Sequence, residues 1–249
     1  MCLLEGCRRV DDWVAQVSGV GALAEPARRA LYLYVAEQPE PVSRDQAAEG
    51  AGVARHTAKF HLDKLVDEGL LDVEYRRLSG RRGPGAGRPA KLYRRADRQV
   101  AVTLPPRHYD LAGRILARAV EDAARTGVPV LEAVRRAAAE AGHRLCAEHG
   151  RPDGPSLECV VGLLAAHGYE PRVLDGAVEL ANCPFHALAQ EHTALVCEMN
   201  LHLVDAVLDE LGPPDATAAL DPAPGRCCVR LTGSCAAATA SGPGPAAPA

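Results

Sequence analysis

The side chains with most chemistry to offer in this sequence are its cysteines. Cys183-Pro184-Phe185-His186 is followed by His192 and Cys197, and then by Cys227-Cys228 after Pro224-Gly225-Arg226. Thiolates and imidazoles are soft to borderline ligands, suited to a zinc ion or an iron–sulfur cluster. The spacing is not that of a zinc ribbon, which uses paired CxxC knuckles. The chain holds nine cysteines, and in a cytosolic protein metal, cluster or redox chemistry is weighed before disulfides. The competing reading is that these are small buried hydrophobes, as free cysteines commonly are. Cys159, inside an apolar run, reads that way, and His143, Cys146 and His149 form a second set at i, i+3, i+6 on one helical face.

Geometry constrains the first set. An unbroken helix from Cys183 to Cys197 would hold them about 21 Å apart at 1.5 Å rise per residue, too far for one ion. Both can ligate only if Cys183 sits in a loop folded back toward the helix, or if the first turns are not helical. A terminal hairpin can return Cys227 and Cys228 to the level of Cys197, because about eight extended residues at roughly 3.3 Å each match the helix from Cys197 to Leu211. A thiol enzyme would need a nucleophile with a positioned base. Cys197 with His192 or His186 is the available pair, with no oxyanion-hole or nucleotide-binding motif beside it, so the chain reads as a non-enzyme.

The second set of chemical side chains is cationic. Arg55, His56, Thr57, Lys59 and Phe60 fall on one face of a helix read from Ala54 to Glu68, while Val53, Ala58, Leu62 and Leu65 fall on the other. Arg bonds guanine bidentately, and Thr reaches a base edge or a thymine methyl. Arg44, Lys59 and Lys91 suit phosphates. The run from Ser79 to Gly87 carries Arg81 and Arg82, with Arg88 just after it, as a tip for the DNA backbone or minor groove. His61 reads as a packing residue.

The elements that must position these groups follow from caps and breakers. A helix runs from Leu23 to Gln38 and is stopped by Pro39 and Pro41. Ser43 caps the next, which ends near Gly50 and Gly52. After the helix ending at Gly69, strands over 70–77 and 88–95 flank the Arg/Gly-rich tip, giving the order of a winged helix-turn-helix. Residues 107–126 and 129–149 read as two helices and 156–167 as another. A hairpin follows over 169–180, then one long helix from Pro184 to Leu211, then a hairpin over 216–231. The expected fold is mainly α with small β elements: an arm over 1–22, a winged helix-turn-helix over 23–98, linking or dimerisation helices over 105–150, an α+β sensor domain with the cysteines over 155–234, and a disordered tail over 235–249.

Composition bounds the partner. The 249 residues are enough for about two domains. No apolar run approaches the roughly 20 residues of a membrane span, and the first ten residues make a poor signal peptide, so a soluble, cytoplasmic protein without a membrane partner is expected. The net charge is −4, but residues 76–98 carry nine Lys or Arg against Asp97 alone, a net of +8, and residues 183–215 carry six acids and no Lys or Arg, a net of −6. A basic half joined to an acidic half suits a DNA-binding domain attached to something else.

The stretch from Gly52-Val53-Ala54-Arg55-His56-Thr57 to Asp67-Glu68-Gly69-Leu70-Leu71, with Gly87-Arg88-Pro89-Ala90-Lys91-Leu92-Tyr93, resembles the winged-helix repressors of the ArsR/DeoR-like superfamily over roughly 70 residues. The order of winged helix, linking helices, Cys-Pro-led segment, second Cys about fourteen residues on and last Cys in a terminal hairpin resembles SufR-type iron–sulfur repressors. The end of the chain is also similar to 4-vinyl reductase-type sensor domains. The SufR resemblance implies a cluster held by Cys183, Cys197 and either Cys227 or Cys228; the chain departs from that pattern in its adjacent final cysteines. The resulting expectation is a homodimeric transcriptional regulator on a palindromic operator of double-stranded DNA. An iron–sulfur cluster, or alternatively zinc, at Cys183, Cys197, Cys227 and Cys228 would modulate it. A regulator of the same class that senses a small organic ligand, with structural cysteines, is the alternative.

Overall fold

The structure is a computed structural model that describes residues 13–77, 89–149, 154–174 and 177–233. It divides into two units, one running to Val102 and the other starting at Thr103. Among the described residues no helix is long and apolar enough to cross a membrane. Arg81, Arg82, Arg88, the turn at 175–176 and the tail over 235–249 lie outside the described residues.

In the N-terminal unit the described chain begins in α1, helical over 13–22. Residues 13–22 were expected in an arm; instead Ala22 is buried in the core of this unit. Then come α2 (Pro26–Glu37), β1 (Val42–Ser43), α3 (Arg44–Gly50), α4 (Arg55–Asp67), β2 (Leu71–Arg76) and β3 (Ala90–Arg95). The caps explain the boundaries. Glu25 accepts from the Ala27 and Arg28 N–H groups at the start of α2, with Pro26 in the first turn. Ser43 and Gln46 form a reciprocal capping box on α3. Gly52, at φ +65°, supplies the left-handed turn that swings α4 across α3. Leu31, Val35, Ala47, Ala58, Leu62, Leu65 and Tyr93 form the core. The three strands are antiparallel in the order β1-β3-β2, with Tyr75 opposite Lys91 and Val42 opposite Tyr93.

The C-terminal unit holds α5 (Tyr109–Thr126), α6 (Val130–His149), α7 (Leu157–Ala166), β4 (Pro171–Leu174), β5 (Ala177–Leu180), α8 (His186–Glu191), α9 (Thr193–Leu211), β6 (Thr217–Leu220) and β7 (Val229–Thr232). The helices expected as a linking segment share one core with the residues around the cysteines. At Gly142 of α6 a Cβ would meet the Leu203 carbonyl of α9 at 2.5 Å, so glycine permits the close crossing of these helices. The sheet is antiparallel in the order β4-β5-β7-β6, so the last hairpin adds to β5 through β7.

One boundary differs from the sequence reading. Residues 184–211 are not one helix: the chain breaks at His192, with φ −128° and ψ 49°, between α8 and α9. Apolar residues recur at helical spacing on both sides of the break, so periodicity alone ran the two together. Phe185, fully buried just before α8, packs edge-on against Tyr169 in the core.

Candidate nucleic-acid interface and cysteine site

On α4 the side chains of Arg55, His56, Lys59 and Phe60 are exposed and Thr57 is half-buried, while Ala58, Leu62 and Leu65 are buried. Phe60 keeps 65% of its surface in solvent beside these cations. His61 is buried; Arg28 Nε donates to its Nδ1 at 3.4 Å and Glu25 lies 3.6 Å from its Nε2, as a packing role requires.

Several cations meet acids in this state. Asp45 pairs with Arg44 at 3.1 Å and Arg55 at 3.2 Å. Lys91, read as a phosphate contact, pairs with Asp63 and lies over the Tyr93 ring at 5.0 Å. Tyr93 donates to the same Asp63 oxygen at 3.2 Å. Burial alone would push the Asp63 carboxyl up, but the Lys91 and Tyr93 hydrogen bonds prevail and hold it below its ordinary value. Asp63 was missed because an acid in a basic helix reads as solvated surface. Arg44, Lys59 and Lys91 nevertheless line one concavity of about 290 Å³ with Ser43, Asp45 and Tyr93. Exposed ion pairs of this kind are worth about 0–1 kcal/mol, so a phosphate can displace them.

The structure brings the four sequence-selected cysteines together from three separate segments. Cys183 lies in the loop between β5 and α8, Cys197 in the second turn of α9, and Cys227 and Cys228 just before β7. The thiols are close enough to influence one another's titration in a chain, Cys183 with Cys227, Cys227 with Cys228, and Cys228 with Cys197. The break at His192 and the Cys183 loop are the conditions that sequence geometry set for this meeting. The anchor for Cys227 is its N–H bond to the Leu180 carbonyl, 2.8 Å.

Cys183, Cys197 and Cys227 are buried. The hydrogen bond with Cys227, then burial, pushes the Cys183 thiol far up. For Cys227 the Cys183 hydrogen bond acts downward, but Cys228 and burial outweigh it and the thiol is pushed up to about 11. Burial, partly offset by Cys228, raises Cys197. Deprotonating any one of these thiols alone is therefore unfavourable, and a cation among them would reverse that balance. Backbone N–H groups of Phe185 and Val229 face the Cys183 and Cys227 sulfurs. As the side chains stand, no group of three or more His, Cys, Asp or Glu among the described residues could hold a metal ion. Four thiols are nonetheless the donor chemistry that zinc or an iron–sulfur cluster takes.

The surrounding residues carried no sequence signal. Arg107 Nη1 donates to the Cys183 carbonyl at 2.7 Å and to Asn182 Oδ1. Asn182 Nδ2 donates to the Pro106 and Gly168 carbonyls, and the His108 N–H to Pro184 at 3.0 Å. His186 and His192 are exposed at the two ends of α8. Cys146 is buried in the α6 core with its thiol pushed up to about 11 by burial, and His143 pairs with Glu210 at 3.6 Å.

Residues 23–74 match the model of a family described as a helix-turn-helix domain. No curated protein matches the chain. Among solved structures the chain is similar to human N-acetylserotonin methyltransferase in complex with SAM, at 21% identity over 56% of this chain, with a TM-score of 0.24. It spans 44% of the length of that enzyme, and a likeness this slight carries no argument about fold or activity. Residues 23–74 are thus matched as a helix-turn-helix domain, and β3, which pairs with both β1 and β2, completes the sheet of a winged one.

Proposed function

We propose that the protein is a DNA-binding transcriptional regulator whose operator binding is modulated by a metal ion or iron–sulfur cluster held by Cys183, Cys197, Cys227 and Cys228. The observation that carries the DNA half is the helix-turn-helix match joined to an exposed Arg55, His56, Lys59 and Phe60 face. The observation that supports the sensor half is the convergence of four thiols from distant segments. The operating unit in this reading is a homodimer in the cytoplasm on a palindromic operator, with half-sites about 34 Å apart.

The residues of this chain supply the rest. Cys183, Cys197, Cys227 and Cys228 bind, and the Phe185 and Val229 N–H groups favour the Cys183 and Cys227 sulfurs, respectively, as anions. Bound there, the group supplies positive charge, and in the case of a cluster a change of redox state. Arg107 and His108, where the chain enters the C-terminal unit, bond to the Cys183 and Pro184 carbonyls. A shift of the Cys183 loop on binding would reach the segment that continues into the DNA-binding unit, a coupling between two sites in the thermodynamic sense.

The test is purification without oxygen, a visible spectrum, iron and zinc assays, and DNA binding measured in oxidant and reductant. A coloured or metal-bearing protein whose DNA affinity changes with occupancy is expected. A colourless, metal-free protein that binds DNA identically in both conditions overturns the sensor half, and one that binds no DNA at all overturns the whole.

A further inference from the structure

Two buried polar side chains stand behind the thiols. Asn200 lies on α9, three residues after Cys197, and Tyr169 lies just before β4; neither exposes any surface. The Tyr169 hydroxyl donates to Asn200 Oδ1 at 2.6 Å, and Asn200 Nδ2 donates to Cys227 Sγ at 3.2 Å. Met199, Leu203, Phe185 and Val229 make the surrounding core apolar. The phenol's single proton is spent on the amide oxygen, so the amide N–H end is left facing the sulfur.

A leucine at 200 would fill similar space with no polar group to satisfy. A neutral thiol is a weak acceptor, so donating to it gains little for two buried polar groups. A hydrogen bond to an anionic acceptor is roughly twice as strong as a neutral one. An N–H donor aimed at a buried sulfur favours the anionic form, the form in which cysteine ligates a metal, and so opposes the burial that disfavours it.

We propose that Asn200, aimed by Tyr169, is a positioning residue for the cysteine site: its amide N–H holds the Cys227 sulfur in place and takes up part of the negative charge of the metal-bound thiolate. The inference rests on reading the four cysteines as a metal site. Outer-shell donors of this kind change metal affinity 10–100-fold.

The probe is Co²⁺, added to the reduced full-length protein without oxygen. Affinity is taken from chelator competition, and the sulfur-to-cobalt charge-transfer band is the second readout. Asn200→Leu is expected to weaken Co²⁺ binding about 10-fold or more. It should also move the band to lower energy, because the sulfur loses the donor that withdraws charge. Tyr169→Phe keeps the ring and removes the aiming hydroxyl, and should move both readouts the same way by less. A wild-type band in Asn200→Leu, whether or not affinity falls, overturns the proposal and leaves the cysteine site standing. If Asn200→Leu does not fold, an unshifted band in Tyr169→Phe overturns it. If the unaltered protein gives no charge-transfer band, the metal reading falls and the proposal with it.

Discussion

The Cys227 N–H donates to the Leu180 carbonyl at 2.8 Å, three residues before Cys183 in the chain. That bond ties the start of β7 to the end of β5, and so ties two cysteines of a late hairpin to a loop more than forty residues earlier. Sheet order thus brings Cys227 and Cys228 to the Cys183 loop, while Cys197 comes from α9.

If the thiols form one site, their substitutions are not additive. Cys183→Ser, Cys197→Ser and Cys227→Ser should each remove most of the bound metal, and a double variant should lose little more than either single one. Metal content of protein purified without oxygen checks this. Full content in Cys183→Ser beside loss in Cys227→Ser would place them in different sites.

The α4 face predicts a division of labour on DNA. Arg55→Ala should weaken binding to a selected high-affinity fragment by about 10-fold or more, with relaxed preference at one base position. Lys59→Ala should weaken all sequences alike and reduce the slope of log affinity against log salt by about 1. Fluorescence anisotropy over a salt series separates the two. Equal, sequence-independent losses in both variants would argue that Arg55 also grips only phosphate.

How far these elements were legible in the sequence follows from the range of the forces that set them. Ser43, Gly52 and Gly69 act locally, and the helix-turn-helix order is readable from them. The meeting of Cys183, Cys197, Cys227 and Cys228 was legible as a geometric condition but not as a fact, because no local signal marks the break at His192. Asn200 and Arg107 had no signal at all. One is a polar residue in an apolar helix and the other an ordinary cation, and each gains meaning only from partners 27 and 76 residues away. Residues 13–22 fold as a helix whose outward face keeps Trp13, Val14 and Val17 exposed, a pattern easily taken for an arm.

Asp63 predicts the acid limit of the N-terminal unit. Its folded-state pKa lies below 3.8 because the Lys91 and Tyr93 hydrogen bonds outweigh burial. A depressed carboxyl contributes stability that is complete above its unfolded value, near 3.9, and is lost as pH falls through the folded value. Lys91, raised above 10.5, loses its share only at the alkaline end, as pH rises through its folded value. Wild type should therefore melt higher than Asp63→Asn at pH 7, with the gap closing below about pH 4. Thermal unfolding from pH 7 to 3 checks it, and a gap that does not narrow at all over that range would assign the effect to packing.

Arg107 offers the sharpest test of how the cysteine loop is held. Its guanidinium donates to the Cys183 carbonyl and to Asn182 Oδ1, and Asn182 in turn donates to Pro106 and Gly168. These bonds fix the loop without touching a thiol. Arg107→Ala removes two charge-assisted donors and leaves all four sulfurs in the sequence, so metal should still bind, but about 10-fold more weakly and with faster release to a chelator. Arg107→Lys restores the charge but not the forked geometry, and should recover only part of the loss. DNA binding by the metal-free protein should be unchanged in both variants, because Arg107 lies outside the matched helix-turn-helix residues. Release rates equal to wild type would mean that the Cys183 loop is held by Phe185 and the sheet alone.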